Sequence, residues 1–287
     1  MDLRGRSEPF AAGPSKVSLL KLRPEILVGL DHVVKNLLGH LHGRDRLVER
    51  ERLERLIRVG QILREELHDL VDALPDVVPA ALRVAVLLAL VHIRAFEDGD
   101  KVFLQTVYNF AGAGEQVAFD IFRFNEKDLI AEHWDNLAEV AGPNPSGRTQ
   151  TDGATEAADL DRTEENRALV EAFLVDVMQG KHPEKTPEYF AGDAYLQHNI
   201  GIADGLSGLG AALEALAAAG IQMVYDKTHQ VLAQGNFVLG VSEGTFGGKP
   251  TSYYDLWRVE DGKIAEHWDV METIADLSDW QNENGKF

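Results

Sequence analysis

Apolar positions in the second half of the chain recur first with a helical period and then with a strand period. Leu169, Val170, Phe173, Leu174 and Val177 fall on one stripe at three- and four-residue intervals. That stripe predicts a helix opening around Thr163, with Glu164 to Asn166 in its polar first turn and a stop at Gly180. Residues 187–190 predict a short second helix, 193–199 (DAYLQHN) an extended segment, and 206–219 a third helix closed by Gly220. Beyond it the period becomes two. Strands are predicted over 221–233, 236–246, 250–259 and 263–273, joined by Gly-Asn, Gly-Gly and Asp-Gly, dipeptides that hairpin turns favour. Helices followed by an antiparallel meander give an α+β domain over 164–287.

The strand half of this pattern occurs twice. Residues 119–135 read FDIFRFNEKDLIAEHWD and residues 254–269 read YDLWRVEDGKIAEHWD, sharing Asp-x-x-Arg and Ile-Ala-Glu-His-Trp-Asp with one residue more in the first turn. Upstream, residues 97–112 match 234–248 more loosely and in the same order. A spacing of this length is too long for a solenoid and suits two tandem domains. Between the copies, residues 141–163 are rich in Gly, Pro, Ser, Thr and Asp, a composition with little to bury, and predict a linker. The first copy, over 24–140, keeps strands from about residue 92 but carries helix formers over 24–73 and no Gln-His-Asn segment. Residues 1–23 predict an irregular N-terminus.

Composition sharpens the break between the halves. The net charge is -19, with 28 Lys and Arg against 47 Asp and Glu. Residues 1–95 contribute about +2 of this and the remainder about -21, and Phe10 is the one aromatic residue of those first 95. Two readings of the Arg- and Leu-rich opening stay open: a diverged helical front half that dimerises, or an out-of-frame text from a GC-rich gene. The acidity argues against nucleic acid and anionic membrane as partners. No apolar run approaches the ~20 residues of a membrane span, and the start lacks a signal pattern, so a cytoplasmic protein is expected. The chain has no cysteine, which excludes disulfides, thiolate metal sites and thiol nucleophiles. It also lacks a phosphate-binding glycine loop and a Gly-x-Ser-x-Gly elbow.

The repeated hairpin is the sharpest chemical feature. Across the Asp261-Gly262 turn, regular pairing sets Tyr254 against Asp269 and Leu256 against His267. Alternation puts His267 and Asp269 on one face and Glu266 and Trp268 on the other. A histidine and a carboxylate on one strand face, opposite a tyrosine, form either an acid/base group lining a cavity or a polar cluster on a solvated face. Trp134, Trp257 and Trp268 suit core or dimer-face packing. His133 and Asp135 repeat the motif in the first copy, as a retained scaffold. His198 and His267 lie on separate elements without metal-ligand spacing, so no metal is expected.

These residues resemble the SnoaL-like polyketide cyclases of the nuclear-transport-factor-two-like superfamily. Gln197-His198-Asn199, Asp204-Gly205, Tyr254-Asp255-Leu256-Trp257-Arg258 and Asp261 to Val270 carry the resemblance, which spans nearly all of 164–287. It implies tandem cone-shaped domains, each a curved antiparallel sheet with helices closing an apolar pocket, the first copy with an atypical all-helical front. It further implies pairing through the sheet, either as a homodimer or between the two copies. The implied ligand is a small hydrophobic carbonyl compound and the implied chemistry an aldol-type cyclisation or isomerisation without metal or organic cofactor. Asp269 takes the general acid/base role, with His267 beside it, and His198, Asn199, Tyr254 and Trp268 become candidate substrate contacts. The alternative is a non-catalytic ligand-binding or dimerisation module of the same fold.

Overall fold

The computed structural model describes residues 91–110, 114–127, 129–280 and 282–287. All lie in the second of the chain's two units, residues 55–287. The irregular N-terminus expected over 1–23 and the helical run expected over 24–73 lie outside the described residues.

Among the described residues, nine strands form two sheets. The first is a four-stranded antiparallel meander of β1 (Val91–Asp98), β2 (Lys101–Phe110), β3 (Gly114–Phe124) and β4 (Ile130–Glu139). The second has the order β5-β9-β8-β7-β6, with β5 (Leu196–Gln197), β6 (Met223–Gln234), β7 (Phe237–Phe246), β8 (Lys249–Glu260) and β9 (Lys263–Thr273). The short β5 runs parallel to β9; the other four strands are antiparallel. The period-two pattern therefore locates β6 to β9 to within two residues of their ends, while the extended segment expected over 193–199 pairs as a strand only at Leu196–Gln197. Among the described residues, no helix is long and apolar enough to cross a membrane.

Helices flank one face of the second sheet. Helix α1 (Thr163–Phe173) carries Glu164 and Glu165 in its first turn, where their charge complements the exposed backbone N–H groups. It buries Val170 and Phe173, then widens into a π-turn over Leu174–Met178 before Gly180 ends it with φ +68°. The short helix expected at 187–190 is instead a 3-10 stretch over Pro183–Glu188, led in by Pro183. Helix α2 (Gly205–Ala218) starts at Gly205, whose φ of +85° and whose approach to the Asp193 carboxylate leave no room for a Cβ. Asp193 accepts the Ser207 backbone N–H and hydroxyl and so caps the helix from a distance.

The other face of the second sheet meets the first sheet. Phe103, Phe119 and Ile121 share one core with Leu239, Leu256 and Trp268, all with at most 1 % exposure. Alternation on each strand commits one set of side chains to this core and leaves the next set for the opposite face. Of residues 141–163, expected to be a linker with little to bury, 141–159 run along this junction without regular structure, whereas Leu160–Arg162 form a 3-10 turn and Thr163 already opens α1. Polar side chains tie the segment down around its few buried points, Asn144 and Gln150. The Asn144 amide donates to the Gln197 and Ile202 carbonyls while its oxygen accepts the Ser146 and Arg148 N–H groups. Buried Arg94 donates to the carbonyls of Thr151, Asp152 and Ala154 and lies 4.0 Å above the Trp268 ring. A segment poor in apolar residues is held here by hydrogen bonds between side chains and backbone, while most of its own residues stay exposed.

Candidate functional site

A cavity of about 590 Å³ opens between the helices and the second sheet. Phe173, Met178, Leu209, Leu216, Phe246 and Trp257 supply much of its apolar wall. One end is polar and is built from Tyr195, Gln197, Asn199, Tyr225, Asp255, His267 and Asp269.

Strand register explains which residues reach it. Two residues after the Asp261-Gly262 turn, β9 bulges: Val259 pairs with Ile264 while Arg258 pairs with Glu266, leaving Ala265 extra. The pairing expected from a regular hairpin is thereby shifted by one. Asp255 faces Asp269, Leu256 faces Trp268, and Tyr254 faces Val270. A one-residue shift moves a side chain to the other face. Tyr254 is accordingly in the core between the sheets, fully buried, with its hydroxyl unpartnered. Asp255 takes the cavity position that regular pairing assigned to Tyr254. His267 and Asp269 share the cavity face, and Glu266 and Trp268 the other, as alternation predicts.

The same alternation splits Gln197-His198-Asn199. The register of β5 on β9 sets Gln197 beside His267, and the His198 N–H continues the ladder to the His267 carbonyl at 2.9 Å. Gln197 and Asn199 face the cavity, whereas His198 points toward the junction of the sheets. There its Nε2 lies 2.8 Å from Glu266 Oε1, its Nδ1 lies 2.7 Å from the Thr149 carbonyl, and its ring stacks on Trp268. Arg258 donates to the second Glu266 oxygen at 2.6 Å. Burial pushes the Glu266 carboxyl up, but the hydrogen bonds from His198 and Arg258 outweigh it and hold the group below its ordinary range. Of the six sequence candidates, Asp269, His267 and Asn199 meet at the cavity, while His198, Tyr254 and Trp268 stand on the opposite face.

Tyr195, Gln197, Tyr225 and Asp255 are not among the site residues expected from the sequence, although Gln197 and Asp255 stand in its motifs. Tyr225 comes from edge strand β6, which bulges between Tyr225 and Lys227. Gly244 lies opposite, and a Cβ there would collide with the Val224 carbonyl, so glycine permits the bulge that aims Tyr225 inward. Its hydroxyl donates to Asp255 at 3.1 Å. His267 Nε2 lies 3.0 Å from the other Asp255 oxygen. Asp269 accepts the Asn199 amide at 2.7 Å.

These contacts act on protonation. Burial raises the Asp269 pKa above its ordinary value, and the nearby Asp255 charge adds to the rise, while His267 and the Asn199 hydrogen bond oppose it. Burial alone would lower the His267 pKa. The hydrogen bond to Asp255 and the charges of Asp269 and Asp255 overcome it, and the net shift is upward. Burial drives the Tyr195 and Tyr225 phenols well above their ordinary value, so both remain donors. The cavity end thus combines a carboxylate of raised basicity, a histidine that favours its charged form and neutral hydroxyl and amide donors. That set can remove a proton from a bound apolar molecule and steady the negative charge that forms.

The first sheet repeats part of this arrangement. Asp120 faces Asp135 across β3 and β4, and His133 Nε2 lies 3.0 Å from Asp120 Oδ1. The Tyr108 hydroxyl donates to Asp120 Oδ2 at 3.0 Å.

Residues 170–267 match the model of the SnoaL-like domain. The matched span contains every residue of the polar cavity end except Asp269, which lies two positions beyond it. No curated protein matches the chain. Several solved structures are similar. A Kribbella flavida protein assigned as a ketosteroid isomerase is 15% identical, over 44% of this chain and 94% of its own, with a TM-score of 0.33. An epoxide hydrolase of the LEH-like type from M. tuberculosis is 24% identical over 39% and 85%, at 0.30. An NTF2-like protein from Burkholderia xenovorans is 20% identical over 39% and 92%, at 0.32.

Proposed function

Residues 170–267 being a SnoaL-like domain, we propose that the chain binds a small hydrophobic carbonyl compound and abstracts a proton next to the carbonyl, as in an aldol-type cyclisation or an isomerisation. Asp269 is the base. One observation carries the reading: Asp269 lines the polar end of an otherwise apolar cavity, half-buried, with Asn199 on one oxygen and His267 on its own strand face. Desolvation brings its basicity toward the working pH, which is what proton abstraction from carbon requires. As the C–H bond breaks, the proton goes to Asp269 and the electron pair moves to the carbonyl oxygen. The Tyr195 hydroxyl and the second N–H of the Asn199 amide are donors suited to that oxygen. His267 offsets the negative charge that Asp255, Asp269 and the enolate would otherwise concentrate in one place. The same reading gives the first sheet the part of a built-in partner for the second, supported by the core they share.

The experiment is proton-deuterium exchange at the α-carbon of a panel of cyclic ketones, followed by NMR. Exchange with the intact protein and its loss in Asp269→Asn supports the proposal. Undiminished exchange in Asp269→Asn ends the acid/base role, and ligand binding without exchange on any ketone favours a non-catalytic binding module.

A further inference from the structure

The environment of His267 assigns the place of each ring proton. Gln197 Oε1 accepts the backbone N–H groups of His198 and Asn199, both at 3.0 Å, and its Nε2 donates to the Tyr195 hydroxyl at 3.4 Å. Two backbone donors identify the atom as the amide oxygen, since an amide NH₂ there would face N–H against N–H. That oxygen is also 2.9 Å from His267 Nδ1. Two acceptors do not face each other at this distance, so Nδ1 carries a proton. The tautomer with a proton on Nε2 alone is thereby excluded, and the contact between Nε2 and Asp255 Oδ1 at 3.0 Å must hold a second proton of its own. Asp255 also accepts the Tyr225 hydroxyl, so its oxygens serve as acceptors and that proton sits on the ring.

We propose that Gln197 is a positioning residue that, by accepting from Nδ1, holds His267 as an imidazolium paired with Asp255, and so keeps a buried cation beside Asp269. The groups facing the ring come from every side. Asp255 lies on β8 and Asp269 on β9. Tyr225 reaches in from β6, and Tyr195 and Gln197 come from the segment before α2. Trp257 stacks on the ring with centroids 5.4 Å apart. The two charged members are both acidic and both favour the cation. Gln197 itself is 1 % exposed and touches the ring rather than the reacting atoms. This inference rests on the proposed chemistry only for its consequence: without the cation, a second anion in the cavity would have no positive neighbour.

The test is a ¹⁵N NMR titration of His267 in the intact chain, for the wild type, Gln197→Leu and Gln197→Glu, with the α-carbon exchange assay run in parallel. The wild type is expected to show both ring nitrogens protonated at neutral pH. In Gln197→Leu the His267 midpoint falls by at least one unit, a tenfold change in proton affinity, and the alkaline limb of the exchange-rate profile moves by the same amount. Gln197→Glu, which keeps the acceptor and adds charge, restores or raises the midpoint. A wild-type His267 that is neutral with its proton on Nε2, or an unchanged midpoint in Gln197→Leu, overturns the proposal. If Gln197→Leu does not fold, the wild-type tautomer and the Gln197→Glu midpoint decide it. The titration needs no substrate. A protonated His267 in a protein that exchanges no ketone would therefore remove the catalytic reading and leave this one standing.

Discussion

The β3–β4 and β8–β9 hairpins carry the same residues in the same register, yet only one of them has the Gln197–Asn199 segment beside it. Each has an aspartate facing an aspartate, a histidine two residues before the second, and a tyrosine hydroxyl on the first. Each also bulges at the same place, beside Arg123 and Glu132 in one and Arg258 and Glu266 in the other. The tyrosines nevertheless come from different strands, Tyr108 from β2 and Tyr225 from β6, so the contact is met by two routes. The His133 side chain is 40% exposed and that of His267 is 9% exposed. The difference teaches that the hairpin supplies an Asp–His contact, whereas the added segment supplies the amides that fix its protons. A pair of side chains becomes a candidate site when a third element desolvates and orients it.

The largest expected effect breaks the symmetry of the two aspartate pairs. Asp269→Asn should lower the ketone exchange rate by at least about 10²–10⁴-fold, the usual worth of a positioned base. Asp135→Asn should leave it within about twofold. Equal losses in both variants would mean that the two hairpins do not differ in function. Asp269→Asn should also stabilise the fold at neutral pH. Because its folded pKa is raised, Asp269 is more stabilising when protonated, and that contribution is lost as pH rises through the folded value. The gain in Tm should vanish below the pKa of the unfolded carboxyl, near 3.9.

Next comes the glutamate that each hairpin places beside its bulge. Glu266 is 3% exposed and bridges His198 and Arg258, whereas Glu132 is 50% exposed beside Arg123. Glu266→Gln removes the carboxylate that buried His198 and partly buried Arg258 face and should cost about 3–5 kcal/mol in urea unfolding. Glu132→Gln should leave the midpoint unmoved. A small loss for Glu266→Gln would show that the junction of the sheets tolerates neutralisation and that this half of the comparison is not energetic.

The third effect is a pH dependence. The raised pKa of His267 means that its contribution to stability is full below the unfolded value near 6.5 and falls as pH climbs through the folded value. The Tm of the wild type should therefore fall from about pH 6 into the alkaline range, and His267→Gln should flatten that slope. His133→Gln serves as the matched control for the first hairpin.

How far the sequence anticipated this follows from particular residues. Period two located β6 to β9 and put His267 and Asp269 together, because burial of one face enforces alternation. The bulge at Ala265 has no such signature, since alanine suits a regular strand as well, and missing it exchanged Tyr254 for Asp255. The signal was nonetheless present: Asp255 opens the repeated Asp-x-x-Arg in a stretch that is otherwise Tyr, Leu and Trp, and a carboxylate there needs a partner. Alternation applied to Gln197-His198-Asn199 would likewise have placed Gln197 with Asn199 and set His198 apart. Tyr225 was out of reach, because its direction depends on a bulge in β6 that Gly244 permits from a neighbouring strand.

The smallest effect concerns the turns, where the two hairpins differ in length. In the second, Asp261 and Gly262 both have positive φ, +50° and +71°, the conformation of a two-residue turn whose twist matches the strands. In the first, five residues separate the paired strands, and Asn125 closes the turn by accepting the N–H groups of Lys127 and Leu129. Positive φ is costless for glycine and strained for alanine, so Gly262→Ala should lower stability by about 1 kcal/mol. No heavy atom lies within 4 Å of the added Cβ, so the loss would be conformational rather than steric. Asn125→Ala removes hydrogen bonds at an exposed turn and should cost less. If Gly262→Ala also shifts the His267 midpoint, the turn transmits its geometry through the bulge to Asp255 and His267. If only the stability changes, the register of β8 on β9 is held from the cavity end, by Tyr225, Gln197 and Asn199, and the turn closes a hairpin already in place.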